Sequence, residues 1–462
     1  MAGKIDESKT LYRKSPKIYP RHVKGRFARL RALAVWVLLG LFYVLPWIEV
    51  GGRQSVLFDL PARKFYIFGM TLWPQDFVYL ALLLITAGLS LFFFTALAGR
   101  LWCGYACPQT VWTEVFIWIE RLVEGDRPKQ MKLDKSPWGL EKFTRKVSKH
   151  FLWIVFAAWT GFTFVGFFSP IREVAQGVMT FSLGPWETFW SIFYSAATYG
   201  NAGFLREQIC KYMCPYARFQ SAMFDKDTLV ISYDEQRGEP RGGRRKKDDV
   251  ASKGLGDCIN CTLCVQVCPT GIDIRDGLQY ECIACAACID VCDQVMDKMG
   301  YDRGLVRYTT ENAVTRGEKH VVRPRILVYG ALLLAILSGT VWSMTNRVPL
   351  RADLIRDRNA LYRELPGGMV ENVYTLKITN MVNAAQTYEL VALDNDQVEI
   401  DLGEPLELNA EEVDAITIRL RLPKSAGKGV QDIDLELRSV DNEEIRTDVE
   451  AKFMMPLGIG NR

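Results

Sequence analysis

Five apolar runs stand out from the mixed pattern of the chain. They cover residues 28–50, 77–98, 151–168, 186–204 and 326–344. About 20 apolar residues are needed to cross the hydrocarbon core of a bilayer, so the pattern predicts a bundle of about five transmembrane helices. The first run ends in Pro46-Trp-Ile-Glu49, an interfacial aromatic end. We therefore interpret it as a retained helix and not as a signal peptide.

The fourth run is the weakest of the five. It contains Glu187 and Asn201 together with the hydroxyl residues Ser191, Ser195 and Thr198. A buried amphipathic helix therefore remains an alternative to a membrane span in this part of the chain.

The pattern changes to period-two alternation after the fifth run. Apolar and polar residues alternate around Tyr374–Ile378, Ile416–Leu422 and Ile433–Leu437, and Ile445, Val449 and Phe453 fit a further strand. Such alternation indicates antiparallel strands with one wet face. Roughly seven strands without cysteine predict an immunoglobulin-like β-sandwich. It has no catalytic constellation, so we expect an interaction domain or a structural cap.

Charge gives the predicted membrane topology a direction. The net charge of +4 is uninformative, but Lys and Arg are dense in residues 14–31 and 121–149, whereas the turn 169–185 holds only Arg172 against Glu173. Because basic residues mark cytoplasmic ends, the N-terminus is predicted to be cytoplasmic. Four spans then return the chain to the cytoplasm, and the fifth exports the C-terminal domain to the periplasm.

Eight of the 12 cysteines form two ferredoxin-type runs, C-x-x-C-x-x-C-x-x-x-C. Three thiolates of each run suit three corners of one [4Fe–4S] cluster, and the fourth ligates the other cluster. The predicted ligands of the first cluster are Cys258, Cys261, Cys264 and Cys292. Those of the second are Cys268, Cys282, Cys285 and Cys288. Structural zinc is the alternative, but it usually requires two C-x-x-C pairs.

The other four cysteines form two copies of C-x-Y-x-C-P, each after an even-numbered run. The copies are Cys103 to Pro108 and Cys210 to Pro215. Positions i and i+4 of a helix share a face, so each pair is predicted to offer two thiolates to one metal. Met213 adds a thioether, and this donor set suits Cu(I). Merely buried cysteines and a redox disulfide are the alternatives.

This order of parts resembles the cytochrome c oxidase accessory proteins of the CcoG/FixG/RdxA family over nearly the whole chain. The resemblance implies a bacterial inner-membrane protein that supports assembly of a cbb3-type oxidase by reducing Cu(II) to Cu(I). Cys103, Cys107, Cys210 and Cys214 are the positions that would handle copper. The membrane half also resembles NapH/NosR-type quinol dehydrogenase subunits, which lack the exported β-domain.

The sequence thus predicts a multi-domain membrane protein. Its parts are a basic cytoplasmic N-terminus (1–27), a four-span membrane domain (28–237), a cytoplasmic ferredoxin-like 2[4Fe–4S] domain (238–324), a fifth span (325–345) and a periplasmic immunoglobulin-like domain (346–462). The basic linker 238–256 is expected to lie near anionic lipid, with no nucleic acid as partner.

Three functions remain open at this point: a cupric reductase, a quinol dehydrogenase-type subunit, and a non-enzymatic copper-binding scaffold. The expected partners are copper chaperones or oxidase assembly factors, together with an electron donor that the sequence does not identify.

The predicted topology is testable with reporter fusions. A reporter after Arg462 is expected to be active only outside the cytoplasm, and one near Gly243 only inside, because the basic segments stay cytoplasmic. Activity of both fusions on the same side of the membrane would contradict the five-span count.

Overall fold

The computed structural model describes residues 17–246, 254–317, 320, 322–358, 360–382, 384–393, 397–403, 405–442 and 444–456. The chain divides into two compact units, Met1–Leu337 and Ser338–Arg462, and each is described separately below. The linker predicted at 238–256 lies partly outside the described residues.

The first unit is mainly helical. Its helices are α1 (Arg26–Val44), α2 (Phe77–Ala98), α3 (Leu101–Tyr105), α4 (Pro108–Glu124), α5 (Arg127–Lys135), α6 (Leu140–Val165), α7 (Ile171–Thr180), α8 (Pro185–Thr198), α9 (Pro215–Met223), α10 (Glu235–Gly238), α11 (Leu263–Gln266), α12 (Ala287–Met299) and α13 (Glu311–Thr315); α14 (Pro324–Thr345) continues from it into the second unit. Two π-helical segments, Tyr199–Leu205 and Ile209–Met213, follow α8.

Three helical segments in the described part of the chain are long and apolar enough to cross a membrane. They are Arg26–Trp47, Pro74–Ala98 and Pro324–Thr345, and they match the first, second and fifth predicted spans. Their apolar side chains are largely exposed, as expected where lipid covers them: Trp36 is 70 % exposed and Leu84 62 %.

The third and fourth predicted spans have a different form. The third lies in α6, which starts at Leu140 and so carries a polar first half with Lys146 and Lys149. The fourth is α8, whose 14 residues cover about 21 Å at 1.5 Å per residue before the π-helical segment continues it. Three helices are therefore supported as spans by length and composition, and the count of five stays a prediction.

Buried ion pairs join α4 to α6 and to the end of the π-helical segment. Glu124, almost completely buried, lies 2.9 Å from Lys146 and 3.0 Å from Lys149. Glu120 lies 2.9 Å from Arg206. Because a buried charge without a partner is very costly, these pairs fix the spacing of the three elements.

Short strands fill the connections of the first unit. Between α1 and α2 lie β1 (Glu49–Val50), β2 (Arg53–Gln54), β3 (Val56–Asp59), β4 (Lys64–Ile67) and β5 (Met70–Leu72), which the hydropathy pattern does not predict. The strands β6 (Val230–Tyr233) and β7 (Val306–Thr309) pair antiparallel and flank the eight ferredoxin-type cysteines in the chain.

The second unit is a two-sheet β-structure. One sheet has the order β12-β14-β10-β8 with β9 beside β10, and the other has β13-β11-β15-β16. The strands are β8 (Leu350–Arg356), β9 (Arg363–Leu365), β10 (Met369–Asn380), β11 (Gln386–Ala392), β12 (Glu399–Asp401), β13 (Leu406–Leu408), β14 (Val413–Pro423), β15 (Val430–Ser439) and β16 (Arg446–Met454).

Inward-facing residues of both sheets form one core in this unit. It includes Leu376 and Ile378 of β10, Leu420 of β14 and Leu435 of β15, all fully buried. The alternation in the sequence therefore predicts these strands correctly. The expected number of about seven is too low, because the described residues form nine and short strands such as β9, β12 and β13 carry too few alternations to be recognised.

Candidate functional site

The two ferredoxin-type runs adopt the same backbone conformation. In the first, Asn260 and Thr262 have φ of 53° and 58°; at the equivalent places in the second, Ala284 and Ala286 have φ of 53° and 59°. A left-handed conformation in a non-glycine residue is unfavourable and persists only where the surroundings impose it. Because this conformation recurs at matched positions, the two cysteine-bearing loops share one backbone structure.

The fourth cysteine of each run is placed differently. In the first run α11 ends at Gln266, so Cys268 and Pro269 follow the helix, as the proline predicts. In the second run Asp293 stands where the first has proline, and α12 continues past Cys288 and Cys292 to Met299. The second run thus presents its last ligands from one helix.

The eight cysteines line two adjacent cavities. The first cavity, of about 20 Å³, is lined by Cys258, Cys261, Cys264 and Cys292. The second, also of about 20 Å³, is lined by Cys268, Cys282, Cys285 and Cys288, with Cys264 between the two. The structure therefore brings the cysteines together in the two sets that the crossed ligation pattern predicts.

The chemistry of these sets fits iron–sulfur clusters. Burial, reinforced by Cys264 and Cys258, raises the pKa of Cys292 to about 12, and burial raises the pKa of Cys282 to about 12. Thiols packed this closely in a partly buried site ionise only with a compensating cation. Four cysteine ligands around each cavity are the donor set of a [4Fe–4S] cluster.

The C-x-Y-x-C-P cysteines do not lie in pairs on one continuous helix, and the i, i+4 argument for them is wrong. Cys103 is in α3, but Cys107 precedes α4 with an extended backbone (φ −62°, ψ 127°). Cys210 is in a π-helical segment and Cys214 precedes α9 with φ −77° and ψ 112°. The cause is the proline that follows, which excludes the helical conformation from the residue before it.

The four cysteines nevertheless lie near one another. Burial raises the pKa of Cys103 to about 12 and that of Cys210 to about 11, and the neighbouring Cys107 adds to both shifts. Cys214 in turn raises the pKa of Cys107, after burial as the main cause. Met213, the predicted thioether donor, has a side chain that is 64 % exposed.

No three His, Cys, Asp or Glu side chains of the described residues form a site for a single metal ion. The four cysteines form a cluster of thiols, and copper binding to them stays a prediction.

The four-cysteine cluster lies against the second cluster cavity. Cys103 and Cys210 pack on the apolar group that contains Cys285, Ile283 and Ala287. Thiols predicted to handle a metal and thiols predicted to hold an electron carrier are therefore neighbours, which the sequence does not reveal because more than 70 residues separate them.

The residue after the first cysteine of each C-x-Y-x-C-P copy contacts the second cluster loops. A Cβ on Gly104 would lie 2.7 Å from the carbonyl oxygen of Ile283 and 3.0 Å from that of Ala284. Lys211, the matching residue of the other copy, donates a hydrogen bond of 2.9 Å to the carbonyl oxygen of Thr270. Sequence reasoning missed both residues, although their matched positions in the duplicated motif were a usable signal.

A larger cavity of about 310 Å³ lies beside the same region. Its wall includes Cys210 and Cys285, apolar residues of the N-terminal segment and of α1, and the carboxylate of Glu114. Its volume is at the lower end of the range for small-molecule sites.

Comparison with known proteins matches each part of this architecture. Family models for a 4Fe–4S dicluster domain, a 4Fe–4S binding domain and the immunoglobulin-like fold at the C-terminus of FixG match residues 205–311, 80–125 and 340–456, respectively. Protein RdxB of Cereibacter sphaeroides is 40 % identical over 94 % of this chain and 94 % of its own.

Two further relatives are similar over most of their length. The nitrogen fixation protein FixG of Rhizobium meliloti is 39 % identical over 82 % of this chain and 80 % of its own. Protein RdxA of Cereibacter sphaeroides is 36 % identical over 83 % of each chain. The 4Fe–4S dicluster domain and the immunoglobulin-like domain expected from the sequence are thereby confirmed, whereas the match of a 4Fe–4S binding domain to residues 80–125 was not expected.

The grouping of ligands predicts the effect of single substitutions. Anaerobically purified protein is expected to contain close to eight iron atoms per chain, which is two clusters of four. Cys258→Ser and Cys282→Ser are expected to damage different clusters, because they line different cavities. Iron and sulfide analysis with electron paramagnetic resonance (EPR) measures this, and zinc without iron would refute the assignment.

The close approach of Gly104 predicts a steric effect on the second cluster. Gly104→Ala is expected to lower occupancy of that cluster, because the new methyl group cannot be accommodated without moving the Ile283–Ala284 backbone. Gly88→Ala in α2 is the matched control, since its Cβ would meet nothing within 4 Å. Equal cluster content in the two variants would show that the contact is unimportant.

Proposed function

Because the chain belongs to the FixG/RdxA family of iron–sulfur proteins, we propose that it is a membrane-bound oxidoreductase that reduces Cu(II) to Cu(I). The observation that carries the proposal is the packing of Cys103 and Cys210 against the second cluster cavity. An electron acceptor bound by these thiols is in contact with the residues that hold the electron carrier.

The eight ferredoxin-type cysteines hold two [4Fe–4S] clusters, which supply electrons one at a time. Reduction of Cu(II) to Cu(I) consumes one electron and breaks no bond, so it requires no general acid or base. The role of Cys103, Cys107, Cys210 and Cys214 is to bind the ion.

Thiolate donors favour Cu(I) over Cu(II), which is better matched by imidazole and carboxylate. Binding by the four cysteines therefore makes the reduction more favourable. The buried thiols have raised pKa values, so copper binding is expected to displace their protons. Met213 lies at the surface and is assigned at most to capture of the incoming ion.

We propose, from the family resemblance, that the Cu(I) produced is used in the assembly of an oxidase. Cu(I) is the form that a thiol or thioether chaperone accepts. We therefore propose copper chaperones or assembly factors of a cbb3-type oxidase as partners, at the bacterial inner membrane. In this proposal the clusters face the cytoplasm and the β-domain faces the periplasm.

A second candidate function is supported by the cavity between Cys210 and Cys285. A quinol dehydrogenase-type subunit requires a small-molecule site that touches a cluster ligand, and this cavity of about 310 Å³ does so. It is flanked by the first turns of α1, a membrane-span candidate. Quinol-dependent reduction of the clusters without copper would favour this function.

The copper proposal predicts that Cu(II) reduction can be lost while both iron–sulfur clusters are retained. Cys210→Ser with Cys214→Ser is expected to abolish steady-state Cu(II) reduction, because two of four thiolate donors are lost. Both clusters are expected to assemble and to be reduced by dithionite as in the wild type. The reason is that Cys210 and Cys214 line neither cluster cavity and are not assigned as cluster ligands. A Cu(I)-specific chelator assay and the cluster absorbance report the two properties.

Unchanged Cu(II) reduction in this double variant would exclude the four-cysteine site from turnover. Copper binding without reductase activity in the wild type would instead identify a scaffold.

A further inference from the structure

The two cluster cavities differ in the charge that surrounds them. Around the second cavity, three cationic side chains donate hydrogen bonds to backbone carbonyl groups of the ligand-bearing segments. Arg31 donates to Cys285, Arg100 to Tyr280 and, at 3.5 Å, to Cys282, and Lys211 to Thr270 at 2.9 Å. All three come from the membrane part of the chain.

These three cations form no ion pair within the described residues. Asp290 and Glu114 are electrostatic neighbours of Arg31 but lie beyond ion-pair distance from it. Asp290 accepts hydrogen bonds from the amides of Phe27 and Ala28 at the start of α1, at 3.1 and 2.7 Å. Glu114 lies 3.6 Å from Arg121. Glu281, next to Cys282 in the chain, and Glu207, which lines the cavity beside Cys210, are further acidic neighbours, and neither forms an ion pair with the three cations within the described residues. Arg100 is only 4 % exposed, so water screens its charge weakly.

Three arginines around the first cavity are neutralised, each by a carboxylate of the cluster module itself, and Asp293 adds a negative charge beside Cys292. The pairs are Arg275 with Asp273 at 2.6 Å, Arg237 with Asp257 at 2.5 Å and Arg307 with Asp234 at 3.0 Å. Arg244 differs from them, because it contacts the ring and the hydroxyl group of Tyr301.

We propose that Arg31, Arg100 and Lys211 are positioning residues that make the second cluster the higher-potential member of the pair. An unpaired cation near a cluster stabilises its reduced form, which carries one more negative charge, and net charge is one of the factors that set cluster potentials. A neutral ion pair has a much smaller effect. The membrane part therefore fixes the order of the two potentials.

The consequence is a direction for electron transfer. With both clusters bound, one electron would pass from the cluster held by the first set of cysteines, which would be oxidised, to the cluster held by the second set, which would be reduced, with no bond made or broken. The second site is the one that Cys103 and Cys210 contact. The assignment of an exit toward copper rests on the proposed function, whereas the order of potentials does not.

The test is an EPR-monitored redox titration of the purified holoprotein without copper. The wild type is expected to show two separate potentials, and Cys282→Ser, by removing the second cluster, is expected to remove the higher one. Arg31→Gln and Lys211→Gln are each expected to lower that potential, reducing the reduced-to-oxidised ratio of the second cluster at a fixed potential on the order of tenfold. The lower potential is expected to stay unchanged.

Conservative and surface variants separate charge from structure. Arg31→Lys is expected to keep most of the wild-type potential, because it keeps the charge. Arg303→Gln, at an exposed ion pair of the module, is expected to change neither potential. The proposal is overturned if Cys282→Ser removes the lower potential, if Arg31→Gln shifts both potentials equally, or if Arg31→Lys shifts as much as Arg31→Gln.

These outcomes are distinct from failure of the proposed function. If the potentials have the expected order but Cu(II) is not reduced, this inference stands and the copper reductase is refuted. If Cu(II) is reduced but the second cluster has the lower potential, this inference is refuted and the copper reductase stands.

Discussion

The rest of the site depends on the close backbone contact between α3 and the loop of the second cluster. Gly104 allows the two chains to approach so closely that any side chain would collide with the Ile283 carbonyl group. That approach brings Cys103 next to Cys285 and lets Arg100 reach the carbonyl groups around Cys282. Electron transfer falls steeply with distance, so a function that joins the two sites requires this contact.

The membrane part holds the ferredoxin-like module at further points. Asp290 of α12 accepts hydrogen bonds from the first amides of α1, which is the favourable place for an anion on a helix. A Cβ on Gly25 would collide with this carboxylate. The buried pairs of Glu120 and Glu124 hold the segment that leads to Cys210. A helix terminus and buried charges thus position the second half of the four-cysteine cluster.

Local patterns in the sequence predict local structure well. The spacing of the eight ferredoxin-type cysteines is sufficient to predict their grouping, because each loop carries three ligands in a short segment. Alternation likewise predicts β10, β14 and β15, because these strands are long enough to show the two-residue period. The helical pairing of Cys103 with Cys107 fails because Pro108 overrides the helical period, a local signal that was available.

Contacts between distant segments could not be predicted in the same way. Nothing near Gly104 in the sequence indicates Ile283, and nothing near Arg31 indicates Cys285, because these contacts depend on how α1 and α3 pack on the module. The sequence likewise does not show that Lys146 and Lys149 of α6 are paired with Glu124 inside the protein. A buried ion pair and a polar helix end look the same in a sequence.

The two copies of the duplicated motif share a local structure but make different contacts. Both copies place a cysteine in a short helix and a second cysteine before a proline, so both present thiols in the same way. They differ at the next residue, where Gly104 permits contact and Lys211 supplies charge. One copy therefore sets the distance to the second cluster and the other contributes to its electrostatic environment. The two copies therefore present their thiols alike but contact the second cluster loops differently, because Gly104 and Lys211 meet different backbone groups of those loops.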